Sequence, residues 1–510
     1  MRPILISGCT LGLGRTGSVL VAGGKVERLS DGGELDAPPG ALRIDAAGGS
    51  LFAGFADTHC HPFEYGWLKR NVDLRGTANI TGLRLRLQAR TLRAMAGQWV
   101  TGMGWDQEAF GGRMPDRSDI DDITGEVPVA LTRVCGHIAL LNSAALRALG
   151  FEGREGPEFV RDASGRLTGI VKEGALEEAN ARIPHSAEAC AGYLLSAESE
   201  AAKCGLTMLH AVVSPSSYPE ELQALASLHA SGSLSLRYRV YVPPGALLHV
   251  KEKGLRAKLR GAVSLAGVKV YADGSLGART AALREPYSDD RGNPGILRHT
   301  DEELAAIVGA ADAEGLQVMV HAIGDRAVEQ AVGALSPYTG GGNPRRHRIE
   351  HASLLPKDLL SKMARHGIRA AVQPLFITSD SWAPQRLGER AEDLYPLRSM
   401  LAAGVVASGS SDSPIESMSP ELAMWAAMVR GGIAPREALT LEEALNLYTS
   451  NAASNGFGEG GHGLREGADA SFTLLDSAVG GMHPAMLRKV GTAATIVGGE
   501  IAYSSMGDEG

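Results

Sequence analysis

Two histidines one residue apart, His59 and His61 in FADTHCHPF, are the first place in the chain where spacing suggests metal chemistry. In an extended segment, residues two apart project to the same side, so both imidazoles can reach one ion. They follow an apolar run and Asp57, whose carboxylate could orient one of the rings. An HxH pair alone is weak, because two loop histidines at the surface read the same way. Further residues give it weight. His321 ends the apolar run 316–321, His351 ends 347–351, and Asp412 follows 405–409 in ASGSSDSP. Lys269 sits inside another such run, in GVKVYADGSLG, where an unpartnered ammonium is costly to bury. Either an ion pair resolves that cost, or CO2 converts the amine to a carbamate, an anion able to bridge two cations. Nitrogen and carboxylate donors together suit one or two divalent ions, zinc above all.

Such residues need elements to bring them together. Eight strand-like runs, at 50–56, 206–211, 236–242, 267–272, 316–321, 347–351, 368–373 and 405–409, are apolar enough to be covered on both faces. From about residue 185 they alternate with helical segments, two of which open on the capping boxes Thr300/Glu303 and Thr440/Glu443. Eight strands so connected predict an α/β fold, a (β/α)8 TIM barrel over residues 53–454. Barrel active sites lie at the carboxyl ends of strands, and the candidate residues fall at or near the ends of strands one, four, five, six and eight. Singly each has a structural excuse; together they do not.

The stretch 66–185 is too long for a simple βα connection and is expected to be an insertion after the first barrel strand, arching over one end of the barrel. Both chain ends consist of short β-like runs broken by glycine. They are expected to pair into a small β-sandwich domain, 1–52 plus 455–510. Gly12-x-Gly14-x-x-Gly17 spells a dinucleotide fingerprint, but SVLVAGGKV follows where a helix is required, so a turn is expected.

A net charge of −8 gives no sign of a nucleic-acid or anionic-membrane partner, and a small-molecule substrate is expected. No apolar run approaches the roughly 20 residues of a membrane helix. The apolar stretch before Cys9, in ISGC, is too short for a signal-peptide core of about 7–15 residues. Five scattered cysteines without a CxxC pair point to a reduced, cytoplasmic chain. A homodimer would be unsurprising.

The strings FADTHCHP, GMGWDQEAF, RVCGHIALLNSAAL, VKVYADGSLGARTAAL, HAIGDRAV, RIEHA and SGSSDSPI run in order from about residue 51 to 416. With them the chain resembles the amidohydrolase superfamily, in particular the amidohydrolase-3 or YtcJ-like branch that includes N-substituted formamide deformylase. The resemblance implies that His59, His61 and Asp412 hold a first metal, that His321 and His351 hold a second, and that Lys269, if carboxylated, bridges them. It implies hydrolysis of a carbon–nitrogen bond other than a peptide bond, in an N-acyl or N-formyl compound, by a metal-activated hydroxide with Asp412 as general base. His137 and Asn142 in GHIALLNS, Asp273 and Arg279 in ADGSLGARTA, and Trp105 are candidates for substrate contact. Phe63, Phe376 and Trp382 could line an apolar pocket, and Asp325 and Arg326 could pair behind His321. A buried ion pair is expected for Glu350, pointing away from His351. One rival reading is a mononuclear deaminase, which usually carries a glutamate three residues after the fifth-strand histidine; Gly324 stands there. A second rival is a catalytically silent barrel serving as a binding scaffold, but every expected ligand is present.

Overall fold

Gly54 divides the run read as the first barrel strand. In the computed structural model, which describes residues 1–94, 98–133, 138–183, 186–456 and 463–506, Ser50–Ala53 belongs to a sheet built from the chain ends. The first barrel strand is Phe55–Cys60. A Cβ at Gly54 would lie 2.3 Å from Thr207 Oγ1, so the chain can cross from one sheet to the other only on a glycine. The single strand expected at 50–56 is therefore two, and His59 lies on the second of them rather than beyond it.

The barrel strands follow in sequence order: Phe55–Cys60, Leu206–Val212, Arg237–Val242, Val263–Tyr271, Gln317–Ala322, Arg348–His351, Arg369–Val372 and Ala407–Gly409. Each pairs in parallel with the next. Leu206–Val212 is buried at every position, as expected of a strand with covered faces. The first and last strands meet through side chains: Thr58 Oγ1 lies 2.8 Å from Ser408 Oγ and donates to the Gly409 carbonyl at 2.9 Å. Helices return the chain between strands, and their ends follow the sequence. Thr300 opens Asp301–Ala313 with a reciprocal capping box to Glu303, Thr440 does the same for Leu441–Tyr448, and Gly367 stops Lys357–His366 with φ of 61°.

Strands from both chain ends hydrogen-bond into one sheet in the order Glu500–Ser504, Thr492–Val497, Phe472–Leu475, Ser50–Ala53, Ile4–Leu11, Thr16–Ala22, Lys25–Asp31, with Leu42–Asp45 also on Ile4–Leu11. Alternate residues such as Ile4, Ile6, Val19, Val21, Phe472 and Leu474 form its core. The GxGxxG string makes the tight turn between Ile4–Leu11 and Thr16–Ala22, as Gly14 N donates to Leu11 O at 3.0 Å.

Phe63–Ser196 forms a second compact unit, which contains the stretch expected as an insertion. Its sheet runs Phe159–Arg161, Leu167–Lys172, Ile138–Leu141, Val129–Arg133, Val100–Trp105, Val72–Asp73, with one apolar cluster around Phe151 and another around Leu74 and Trp105. Among the described residues no helix is long and apolar enough to cross a membrane.

Candidate metal centre

The period of two on the first strand sends His59 toward the barrel interior and Cys60 to the other side, where its Sγ meets the His210 carbonyl at 3.7 Å. His61, just past the strand, returns to the His59 side; the two ring centres are 5.4 Å apart. The loop after the eighth strand brings Asp412 to them. Its Oδ1 lies 3.2 Å from His59 Nε2 and 3.3 Å from His61 Nε2. From the sixth strand comes His351, whose ring lies 5.1 Å from that of His59 and 4.4 Å from that of His321 on the fifth. Ligand atoms of His59, His351 and Asp412 all fall within 4.8 Å of one another. Lys269 on the fourth strand places Nζ 3.1 Å from His59 Nε2 and 4.8 Å from the centre of the Tyr271 ring. The six residues expected to form the site are gathered at one end of the barrel.

Backbone bonds fix the Asp412 loop. Asp412 N donates to the His59 carbonyl at 2.8 Å, and His61 N donates to the Ser413 carbonyl at 2.7 Å. Asp57, expected to orient an imidazole, does something else: its carboxylate accepts the backbone N–H groups of His59 and Ser411, each at 3.1 Å, and the Ser411 hydroxyl. It ties the first strand to the Asp412 loop. Two of the gathered residues sit in left-handed backbone, His351 at φ of 70° and Asp412 at 53°, a conformation that costs about 1–3 kcal/mol and concentrates at functional sites.

Electrostatics decide whether these side chains fit a cation. His59 Nδ1 faces the Glu350 carboxylate, which can only accept, so Nδ1 carries the proton. In the neutral ring Nε2 is then a lone pair, and it faces the Asp412 carboxylate and the Lys269 amine. His351 repeats the pattern: Nδ1 donates to Gln373 Oε1 at 2.8 Å, while Gln373 Nε2 donates to Ser410 Oγ at 2.9 Å, which assigns the amide. Lone pairs converging in a buried space need a cation between them. Four ligands at about 2.0 Å from a zinc stand about 3.3 Å apart at tetrahedral angles, close to the separations seen at Asp412 Oδ1. The residues fit a divalent ion.

Burial, by disfavouring the charged form, and the nearby ammonium of Lys269 push His321 down to about 3, so its ring is neutral at ordinary pH. Burial also raises the Asp412 carboxyl, but His59 and His61 outweigh it and hold the group well below its usual value. Lys269 is lowered to about 8, by burial first of all.

The other candidates fare differently. Asp273 is buried, accepts the backbone N–H groups of Ala282, Ile323 and Gly324, and lies 3.4 Å from His321 Nε2, itself bonded to the Gly274 carbonyl at 2.9 Å. It shapes the loops around His321. Arg279 pairs with Asp289 at 2.7 Å. Asn142 caps the helix Ser143–Ala148; its Oδ1 takes Val129 N and Ala145 N, and its Nδ2 gives to Thr124 Oγ1 and the Val127 carbonyl. All four of its bonds are made inside the insertion, leaving none for a substrate. Trp105 is fully buried in the apolar cluster there, with Nε1 on the Leu131 carbonyl at 2.7 Å. Both are structural residues, a correction to the substrate-contact reading. His137 lies outside the described residues. Phe376 stacks beside His351 at 6.3 Å, whereas Phe63 is buried in the second unit. Asp325 and Arg326 do not pair side chain to side chain: Asp325 accepts Arg284 N at 2.9 Å, and Arg326 reaches Asp301 and Glu329. Glu350 has the ion pair expected of it, with Arg348 Nε at 2.8 Å, yet it points toward the site, because the strand turns left-handed at His351. Sequence reasoning missed its contact with His59, and Gln373 as well.

Parallel strands that bring imidazole, amine and carboxylate to one end of a closed barrel define a metal-dependent hydrolase of the barrel type. The model of the amidohydrolase family, Amidohydro_3, matches residues 43–503, and the chain belongs to that family. It is 30% identical to YtcJ of Bacillus subtilis (strain 168) over 509 residues, 95% of this chain and 94% of the relative. N-substituted formamide deformylase of Arthrobacter pascens is 26% identical, with 96% of this chain and 95% of the relative covered. Among solved structures, an uncharacterized metal-dependent hydrolase from Pyrococcus furiosus superimposes with a TM-score of 0.80 at 32% identity, covering 93% of this chain and 99% of that one.

Proposed function

We propose that this chain hydrolyses the carbon–nitrogen bond of a small N-acyl or N-formyl compound, with zinc as the metal. The observation that supports the reading is the convergence of His59 Nε2 and His61 Nε2 on Asp412 Oδ1, with the rings of His351 and His321 beside them. His59, His61 and Asp412 would hold one ion. His351 and His321 would hold a second, His321 through Nδ1, since its Nε2 is committed to the Gly274 carbonyl. Lys269 has its Nζ beside His59 and, among the described residues, no carboxylate closes an ion pair with it; an amine so placed suits carboxylation by CO2 and a bridging role. When bound, the metal supplies an acidified water, with pKa near 7, and polarises the scissile carbonyl. Asp412, with Oδ1 turned to the two imidazoles, offers Oδ2 to take the water's proton and pass it to the leaving amine. His61, His321 and Asp412 keep 18%, 12% and 13% of their side chains exposed, enough for a substrate to reach them.

Gly324 supports amide hydrolysis over ring deamination. A Cβ there would meet the Ala282 carbonyl at 2.0 Å, so a proton-shuttling glutamate has no room at that position. Asp325 turns its carboxylate to Arg284 N instead. The similarity to N-substituted formamide deformylase points the same way. Elemental analysis of the purified protein, with a screen of N-formyl and N-acyl amines, tests the proposal. Stoichiometric zinc and amine release are expected; ammonia released from a ring substrate would overturn the amide reading.

A further inference from the structure

The two imidazoles that meet Asp412 from the first and sixth strands are supported unequally. His59 Nδ1 is bonded to the Glu350 carboxylate, and both residues are fully buried. Arg348, also fully buried, fixes that carboxylate. Its Nε donates to Glu350 Oε1 at 2.8 Å, its Nη2 to the Thr58 carbonyl at 2.6 Å, and its Nη1 to His210 Nδ1 at 3.1 Å. One guanidinium thus holds both the partner of the His59 ring and the peptide that carries His59. Among the described residues, the partner of His351 Nδ1 is the neutral amide of Gln373, whose other end rests on Ser410. An anion on Nδ1–H draws the proton away and leaves Nε2 a stronger donor to a cation than an amide does. The arginine keeps the buried carboxylate ionised and aimed, because a charge without such a partner would neutralise.

We infer that Glu350 and Gln373 are positioning residues that grade the metal centre, the anionic one making the His59 side the tight position and the neutral one leaving the His351 side weak. The inference rests on the metal reading above. It predicts sequential zinc uptake, with the first ion held through His59.

Zinc affinity of the metal-free full chain, measured by competition with a chromophoric chelator, tests it in both directions. Glu350→Gln is expected to weaken the tighter zinc about 10–100-fold. Gln373→Glu is expected to strengthen the weaker one about tenfold, a gain that damage to the fold would not produce. Because Glu350→Gln strands a buried arginine, the double variant Arg348→Met/Glu350→Gln is measured beside it; it removes both charges and should show the same loss. The visible spectrum of the cobalt-loaded protein gives a second readout. It should change with Glu350→Gln for the first equivalent of cobalt and with Gln373→Glu only for the second. Wild-type protein that takes up no zinc would overturn the metal reading together with this inference. Wild type that binds zinc, with Glu350 variants that bind it equally well or a Gln373→Glu variant that binds it less well, overturns the inference alone.

Discussion

Asn142 in the insertion and His59 in the barrel are both polar and both fully buried, yet they solve burial in opposite ways. Asn142 closes on itself: two acceptor bonds and two donor bonds, all to its own neighbourhood, and a helix capped in the process. His59 gives one nitrogen to a carboxylate and turns the other to the metal-site cluster, where among the described residues it meets an amine, a carboxylate and further imidazoles. The difference teaches how to tell scaffold from chemistry among buried polar groups. A saturated group reports on the fold, and an open one needs something the chain does not supply. Glu421 is a third case. It is buried, and among the described residues its Oε1 has no partner, but no imidazole converges on it, so it resolves its burial by holding a proton.

The sharpest way to break this comparison is to change an open group. Asp412→Asn should cut turnover by about 10²–10⁴-fold, the range of a lost general base, while the thermal unfolding of the metal-free chain stays near that of wild type. Full activity in that variant would remove Asp412 from the chemistry. The saturated group should behave in reverse. Asn142→Ala leaves buried Val129 N and the Val127 carbonyl without their bonds and removes a helix cap. A loss of about 2–3 kcal/mol is expected in denaturant unfolding, with kcat of the folded protein unchanged. A drop in kcat without loss of stability would return Asn142 to the substrate. Trp105→Phe, which removes the indole bond to the Leu131 carbonyl, should cost about 1 kcal/mol by the same measurement.

Glu421 gives a pH test. Burial raises its carboxyl from 4.5 to about 7, so the folded chain keeps this proton over a range in which the unfolded chain has lost it. Stability from this group is therefore full below about 4.5 and falls as pH rises to about 7. Glu421→Gln, which cannot ionise, should gain about 2–3 kcal/mol on wild type between pH 5 and pH 8. Parallel stability curves for the two proteins over that interval would show that Glu421 is not held protonated.

Much of the barrel was legible because its signals are local. The apolar runs and capping boxes are set by neighbours in sequence, as are the same-side projection of His59 and His61 and the stop at Gly367. The six candidate donors were chosen from their places within, at the end of or just after apolar runs, and the barrel brings them to one end. What escaped was set at long range. Nothing near Glu350 in sequence says that its carboxylate meets a ring 291 residues away, or that Asp57 would serve backbone amides of the Asp412 loop rather than an imidazole. The break at Gly54 depends on Thr207, from another strand. Trp105 and Asn142 misled for a related reason: a polar or aromatic residue reads the same in sequence whether it meets a ligand or fills a core, and their partners are the Leu131 carbonyl, Val129 N and the Val127 carbonyl.

The side-chain seam between Thr58 and Ser408 also bears on how the protein acquires its ion. Because the eighth strand closes on the first, and the loop beyond it delivers the last donor, a chain leaving the ribosome carries only scattered histidines until residue 412 has emerged and docked beside His59. Loading is thus a step for finished molecules, and a cell short of the metal would accumulate folded, empty chains rather than stalled fragments.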